Sequence, residues 1–170
     1  MTEIEAVPGR RGANGLGMLA GGVIAGVIDI FAACAINHVG PGVILQAIAS
    51  GLLGKASYQG GQTTIALGLA LQLGMSLIIA AVYGLAAVRL PVLTRRPLSF
   101  GALYGVGVFI VMSFIVMPLS AVYPKTAPTL RGAVPQFAAM ILFGLIVAVS
   151  QSMIGAPRRP LTPRADVASA

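Results

Sequence analysis

The stretch TTIALGLALQLGMSLIIAAVYGLAAV, residues 63–88, has no charged side chain and exceeds the roughly 20 residues that a helix needs to cross a bilayer. Backbone polar groups in lipid must be satisfied within the segment, so this run predicts a transmembrane helix. Similar apolar blocks cover residues 16–37, 99–121 and 133–154, and Asp29 is the only charged residue in any block. The sequence therefore predicts an all-α, polytopic membrane protein with a bundle of four transmembrane helices.

Composition and charge agree with this class. Of the 170 residues, 57% are hydrophobic and 9% are charged, against roughly 25% charged residues in soluble domains. The formal charge of +7 is carried by residues between and beyond the apolar blocks, with no basic helix face. Anionic membrane lipids are therefore the expected partners, and no nucleic-acid binding is expected. The single cysteine, Cys34, cannot form an internal disulfide.

The positions of Lys and Arg predict the orientation of the spans. One group of arginines lies before the first span, between the second and third spans, or after the last span. Its members are Arg10, Arg11, Arg89, Arg95, Arg96, Arg158, Arg159 and Arg164. The other loops carry only Lys55, Lys125 and Arg131. The positive-inside rule then places both termini in the cytoplasm. A single transmembrane domain is expected over residues 16–155, between disordered tails at residues 1–15 and 156–170.

The first block also has features of a cleaved signal peptide. Ala33-Cys34-Ala35 loosely resembles a processing site. The block is longer than a usual signal core, however, and it contains Asp29. We therefore expect it to be retained as the first span.

Two loops outside the spans differ in character. Residues 42–54 follow Pro41 and carry apolar residues on one face, with Gln46 and Ser50 on another, which predicts a short helix. This helix is too short to cross the bilayer, so it should lie at the outer interface or re-enter the bundle. The loop over residues 123–131 contains two prolines and is expected to be extended.

Asp29 is the first candidate for a functional residue, because acids inside a membrane usually face the bundle interior or a water-filled cavity. Gln72, Ser76 and Tyr83 recur at helical spacing in the second span, and Ser113 lies in the third. These four are candidate hydrogen-bond partners of the acid. An acid that moves protons or ions and an acid that ties helices together both fit the pattern, so both roles remain open.

Small residues spaced four apart predict close helix packing, since lipid gives no hydrophobic drive between helices. We favour packing between helices of one chain over packing at a dimer interface. Ala66 and Ala70 share this spacing in the second span. The glycines that show it are Gly17, Gly21, Gly22, Gly26, Gly101 and Gly105. Pro118 is expected to kink or end the third span.

No catalytic constellation is visible in the sequence. The chain has one histidine, His38, and lacks the Ser-x-x-Lys, G-x-S-x-G, P-loop and dinucleotide-binding patterns. Ligand residues do not cluster at metal-binding spacings. We therefore expect no enzyme activity, no cofactor and no metal site.

Several short motifs resemble a family of small bacterial inner-membrane proteins that has four spans and no established activity. The resemblance runs from about residue 22 to residue 148, and its motifs are ILQAIASGLLG at 44–54, YQGG at 58–61, RRP at 95–97, GALYG at 101–105 and MPLSA at 117–121. It implies a bacterial inner membrane as the location. The family pattern has the acid at Asp29, but histidine at Gln72 and near Ala139, and asparagine at Ser113, so any chemistry of those groups is in doubt here.

Two functions of different classes follow. The first is a structural, accessory or oligomer-forming membrane component, acting as a homo-oligomer or within a larger membrane complex. The alternative is a small proton- or ion-coupled transporter or channel that uses Asp29, with residues 41–61 as an outer gate. A lipid- or quinone-handling pocket beside the outer helix is a third hypothesis. The small size of the chain and its single intramembrane acid favour the first function.

Overall fold

The computed structural model of the chain describes residues 10–121 and 130–154, with side chains over residues 15–121 and 133–153. Its helices are α1 (Arg10–Asn37), α2 (Pro41–Leu53), a 3₁₀ helix (Gly54–Gln59), α3 (Gly61–Arg89), α4 (Val92–Arg95), α5 (Pro97–Val111), a π turn (Met112–Val116), α6 (Met117–Leu119) and α7 (Leu130–Ile154). No strand occurs in these two segments.

Four stretches of helix are long and apolar enough to cross a membrane. They are Gly15–Asn37, Gly61–Arg89, Pro97–Leu119 and Ala133–Met153. Each coincides with one of the four apolar blocks. The predicted all-α, polytopic fold with four transmembrane helices is confirmed.

The helix ends differ from the predicted boundaries. Residues 10–15 were predicted to belong to a disordered tail but form the start of α1, so that part of the prediction is wrong. No proline lies between Pro8 and Pro41, and extending an established helix costs little once the apolar span has formed. Likewise α7 begins at Leu130 rather than residue 133, so the end of the predicted extended loop is helical.

Other predictions about loops and tails fall on residues that the structure does not describe. These are residues 1–9 and 156–170 of the two predicted tails, and residues 123–129 of the loop before α7.

Helix α1 packs along both α3 and α7, and α5 packs along α7. Helix α2 packs on α3. The buried apolar cluster is small, as expected where lipid is the solvent, and consists of Ala25, Ala80, Tyr83, Phe143, Val147 and Ala148. The bundle therefore depends on close backbone contacts and a few polar side chains.

The predicted short helix over residues 42–54 is present as α2, which folds back against the first turns of α3. The backbone carbonyl of Leu45 lies so close to Gly68 that a side chain at Gly68 would collide with it. Ser57 Oγ donates a hydrogen bond of 2.8 Å to the carbonyl of Gln46. Ala121 N–H donates one of 2.9 Å to the carbonyl of Gly51. Helix α2 thus contacts both α3 and the end of the third span.

A π turn interrupts the third span before it ends. The π turn Met112–Val116 immediately precedes Pro118, and α6 ends at Leu119. Pro118 has no N–H to donate and its ring crowds the preceding turn, and a wider turn relieves that crowding. The prediction that Pro118 kinks or ends this span is confirmed.

Candidate functional site

The site around Asp29 begins with a close approach of α1 to α3. A Cβ atom placed on Gly22 would lie 3.1 Å from the Cβ of Ala80, and one on Gly26 would lie 2.5 Å from the Oγ of Ser76. Both glycines are buried. Because neither has a side chain, the two backbones can approach closely enough for polar groups to bridge them.

One hydrogen bond joins the two helices directly. Gln72 Nε2 donates to Asp29 Oδ2 at 2.9 Å and lies 3.4 Å from the carbonyl of Gly26, to which it also donates. Gln72 is buried and Asp29 is half-buried. The predicted pairing of these two side chains is therefore present in the structure.

Asp29 has no cationic partner among the side chains that the structure describes. The described basic side chains are all exposed, and these are Lys55, Arg89, Arg95 and Arg96. Removing an ionised carboxylate from water without a counter-charge is costly. The electrostatics of the site therefore depend on the Gln72 amide and on whatever else enters the space beside Asp29.

A small cavity lies beside this pair at the centre of the bundle. Its volume is about 20 Å³, enough for about one water molecule. Asp29, Gln72 and Ser76 are its polar lining residues. The others are Met75, Ile79, Val108, Met112, Met140 and Phe143, so that α1, α3, α5 and α7 and the π turn all contribute.

Two of the predicted partners of Asp29 lie elsewhere. Tyr83 Oη donates to the carbonyl of Leu93 at 3.2 Å, because it lies about three helical turns from Gln72. Ser113 makes no hydrogen bond with Asp29 and does not line the cavity. It lies within the π turn, where the regular helical spacing does not hold. For these two residues the predicted pairing is wrong.

The remaining predicted partner, Ser76, has an unusual environment. Its residue is 2% exposed and it lines the cavity, yet it makes no hydrogen bond with any residue in the described segments. Ser76 lies near Asp29, but the predicted hydrogen bond between the two side chains is absent. The sequence did not predict that the Ser76 hydroxyl, in the cavity lining, has no hydrogen-bond partner among the described residues.

The predicted packing glycines form contacts within the chain. Gly22 and Gly26 face α3, and the contacts of the others lie on α7: Gly21 faces Ser150, Gly101 faces Ala148, and Gly105 faces Ile141. Gly17 is buried as well. Packing within one chain is therefore confirmed for the five glycines other than Gly17. Ala66 and Ala70 are exposed, so their spacing serves no contact inside the bundle.

The two outer polar residues differ in what they do. Gln46 Nε2 donates to Thr64 Oγ1 at 3.4 Å and to the Gly61 carbonyl at 3.5 Å, which ties α2 to α3. Ser50 Oγ donates to the carbonyl of Ala47 at 2.6 Å, within its own helix. Of these two residues, only Gln46 therefore connects two helices through its side chain.

Two polar residues were not singled out from the sequence. Tyr104 Oη donates to the Ile79 carbonyl at 2.6 Å, and its ring packs edge-on against Tyr83 at 5.0 Å, which joins α5 to α3. Gln151 is 3% exposed, and its Nε2 has no hydrogen-bond partner in the part of the chain that the structure describes. Both residues could have been identified from the sequence as polar side chains within an apolar block.

The chain matched no known protein family, no curated protein and no solved structure when compared with them. The resemblance to a family of small bacterial inner-membrane proteins therefore stays a prediction. What the fold and site define is a multi-pass, all-α membrane bundle with one half-buried acid at its centre.

Proposed function

We propose that this protein is a small multi-span component of a bacterial inner membrane with a structural, accessory or oligomer-forming role. The observation that carries the proposal is the 2.9 Å hydrogen bond from Gln72 to Asp29, beside a cavity with room for about one water molecule. A side chain that bridges two helices in so small a space favours holding the bundle together over conducting a solute.

The charge distribution supports cytoplasmic termini. Arg89, Arg95 and Arg96 are exposed at the end of the bundle where α3 ends and α5 begins. Lys55 is exposed in the 3₁₀ helix, at the opposite end. An excess of arginine on one side favours that side as the cytoplasmic one.

Helix α5 supports a role that involves neighbours in the membrane. It packs mainly on α7 and leaves much of its length and that of α6 uncovered. Leu103, Phe114 and Leu119 are 65%, 73% and 80% exposed. Such a face is suited to lipid, to a second copy or to a partner subunit.

Copurification from native membranes in mild detergent tests the proposal. We expect the wild-type protein to bring down a stoichiometric membrane neighbour or to run as a defined homo-oligomer. Substitution Leu103→Ser on the uncovered face should weaken that association, whereas Leu16→Ser, on the equally exposed start of α1, serves as a control. A monomeric wild-type protein without neighbours would contradict the proposal.

A second function, proton- or ion-coupled transport, is favoured by one observation: all four spans line the cavity that contains Asp29. Its test is flux through proteoliposomes that contain wild-type protein or Asp29→Asn. If Asp29 carries ions, flux falls in the variant while folding and assembly persist. No flux with the wild-type protein rejects transport and leaves the structural role standing.

A further inference from the structure

The cavity beside Asp29 has more hydrogen-bond acceptors than donors. The Ser76 hydroxyl makes no hydrogen bond with a described residue, although the residue is 2% exposed. The amide of Gln72 uses its nitrogen to donate to Asp29 and Gly26, and no described donor reaches its oxygen. Among the described residues, only the Gln72 amide donates to the Asp29 carboxylate. Polar groups that line a small cavity and have no protein partner for some of their oxygen atoms are satisfied by a ligand or a water molecule that enters the cavity.

We propose that this cavity binds one small monovalent cation, of about the size of Na⁺. The ligands from the chain are the carboxylate of Asp29, the amide oxygen of Gln72 and the hydroxyl of Ser76. Oxygen atoms of these three types are the donors that hard cations prefer. The proposal concerns binding, goes beyond the structural role proposed above, and holds whether or not anything is transported.

Size limits the occupant to a single small species. A volume of about 20 Å³ admits about one water molecule and excludes any organic ligand. The Gln72 side chain cannot move aside freely, because its amide is held by Asp29 and Gly26. The cavity therefore has a defined shape around its three polar residues.

Charge limits the occupant further. Asp29 supplies one negative charge, and the basic side chains described by the structure are all exposed. A monovalent cation neutralises that charge, whereas a divalent ion would leave a net positive charge in an apolar bundle. The surrounding residues Ile79, Val108 and Phe143 supply no charge that would correct the balance.

The competing occupant is a single water molecule beside a protonated Asp29. Water donates two hydrogen bonds and fits the same space. The binding of water in this cavity, however, does not depend on which salt is in solution. The two occupants therefore differ in their response to cations of different size at constant ionic strength.

Thermal unfolding of the purified full chain in detergent separates them. NaCl is titrated against choline chloride at constant ionic strength and pH. We expect Na⁺ to raise the Tm in a saturable way, by about 5–10 °C at 100 times its Kd, and the larger K⁺ to act more weakly. Equal Tm values in NaCl and choline chloride would mean that water is the occupant, and would overturn the proposal.

Two variants locate the effect. Ser76→Ala should abolish or strongly reduce the Na⁺-dependent shift, because it removes one of the three ligands. Ser113→Ala is the matched control, since this serine is half-buried in the same bundle but does not line the cavity. A full Na⁺ shift in Ser76→Ala, or an equal loss in Ser113→Ala, would overturn the site.

Direct binding of ²²Na⁺ to the wild-type protein keeps the proposal testable if Ser76→Ala fails to fold. We expect one ion per chain, displaced by excess Li⁺ or Na⁺ but not by choline. No saturable binding would reject the proposal. If Asp29 and Gln72 stabilise the bundle in choline chloride but no Na⁺ effect is found, the structural role stands and only the cation site fails.

Discussion

At the scale of single residues, Asp29 and Gln72 form a polar contact that crosses between α1 and α3 in the apolar bundle. Hydrogen bonds between membrane helices average about 0.6 kcal/mol and reach about 1.7 kcal/mol, because polar groups also find partners in the unfolded state within the membrane. The contact therefore contributes a modest part of the free energy of unfolding. Its value also lies in fixing which faces of the two helices meet.

A double-mutant cycle with Asp29→Ala and Gln72→Ala tests this contact in choline chloride. We expect a coupling free energy of about 0.6 kcal/mol, because each single substitution removes the same hydrogen bond. SDS-induced unfolding in mixed micelles measures it. Asp29→Ala combined with Gln62→Ala is the control cycle, since Gln62 is exposed on the same helix. Equal coupling in the two cycles would show that the contact stabilises nothing.

His38 adopts a backbone conformation that suits glycine. Its φ is 55°, just after α1, and the following residue Val39 donates to the carbonyl of Cys34 at 3.3 Å. A left-handed conformation costs a residue with a side chain about 1–2 kcal/mol, and glycine avoids most of this.

His38→Gly should therefore raise the free energy of unfolding by about 0.5–1 kcal/mol. His38→Ala keeps the strain and should give no gain. The same SDS unfolding assay measures both variants. A loss of stability in His38→Gly would indicate that the imidazole makes a contribution larger than the strain.

The sequence predicted the central polar pair but not all of its neighbours. Asp29 and Gln72 could be found because each is a polar side chain in an apolar block and the glycines predict a close approach of α1. The partner of Tyr83 could not be found, since it is a backbone carbonyl in α4. The lack of a partner for Ser76 could not be found either, because hydrogen bonding depends on the exact rotation of each helix.

At the scale of helices, glycine determines how closely the elements approach. In the pair α5 and α7, a Cβ on Gly105 would lie 2.5 Å from the carbonyl oxygen of Met140 and 2.7 Å from the Cα of Ile141. Both are backbone atoms, so the contact cannot be relieved by rotating a side chain. Either α5 must move or the substitution must destabilise the pair.

Gly105→Ala should thus lower the free energy of unfolding by about 1–3 kcal/mol, the usual cost of overpacking. Gly107→Ala in the same helix is the matched control, because a Cβ there meets nothing within 4 Å. The control should be neutral or slightly stabilising, as alanine is the better helix former. Equal effects of the two substitutions would contradict the packing of α5 on α7.

The position of α2 has a similar test. Gly68→Ala would place a Cβ against the backbone carbonyl of Leu45 and should separate α2 from α3. We expect faster proteolysis or hydrogen exchange over α2, with a loss of about 1–3 kcal/mol. Gly74→Ala has open space around its Cβ and is the control. Unchanged exchange of α2 in Gly68→Ala would show that α2 does not pack on α3.

The four spans were predicted within a few residues because length and apolarity alone decide them. The short helix α4 was not predicted, since it lies among the arginines of a loop with no apolar period. Pro118 was the only indication of the π turn in the sequence. Its missing N–H predicts an irregularity in the helical hydrogen bonding but does not specify a π turn. The close contact between Gly68 and Leu45 was missed because it does not follow from a spacing of small residues.

At the scale of the whole molecule, α1 and α7 are the two central helices, since α1 packs on α3 and α7 and α7 packs on α1 and α5. Helix α1 packs on α3 through Gly22 and Gly26 and on α7 through Gly21. The third span is at the edge of the bundle and has strongly exposed apolar side chains, which are Leu103 in α5, Phe114 in the π turn and Leu119 in α6. Changes in α1 should therefore disturb the fold, and changes on the outer face of α5 should disturb association with neighbours.

The central claim is that lipid surrounds four spans whose loops alternate between the two sides of a membrane. Cysteine accessibility in intact cells tests it most directly, with Ala56→Cys in the 3₁₀ helix and Val92→Cys in α4, both exposed and both in a Cys34→Ser background. A membrane-impermeant maleimide should label Ala56→Cys in intact cells and Val92→Cys only after permeabilisation. Labelling of both positions from the same side, or recovery of the protein in the soluble fraction without detergent, would contradict the account.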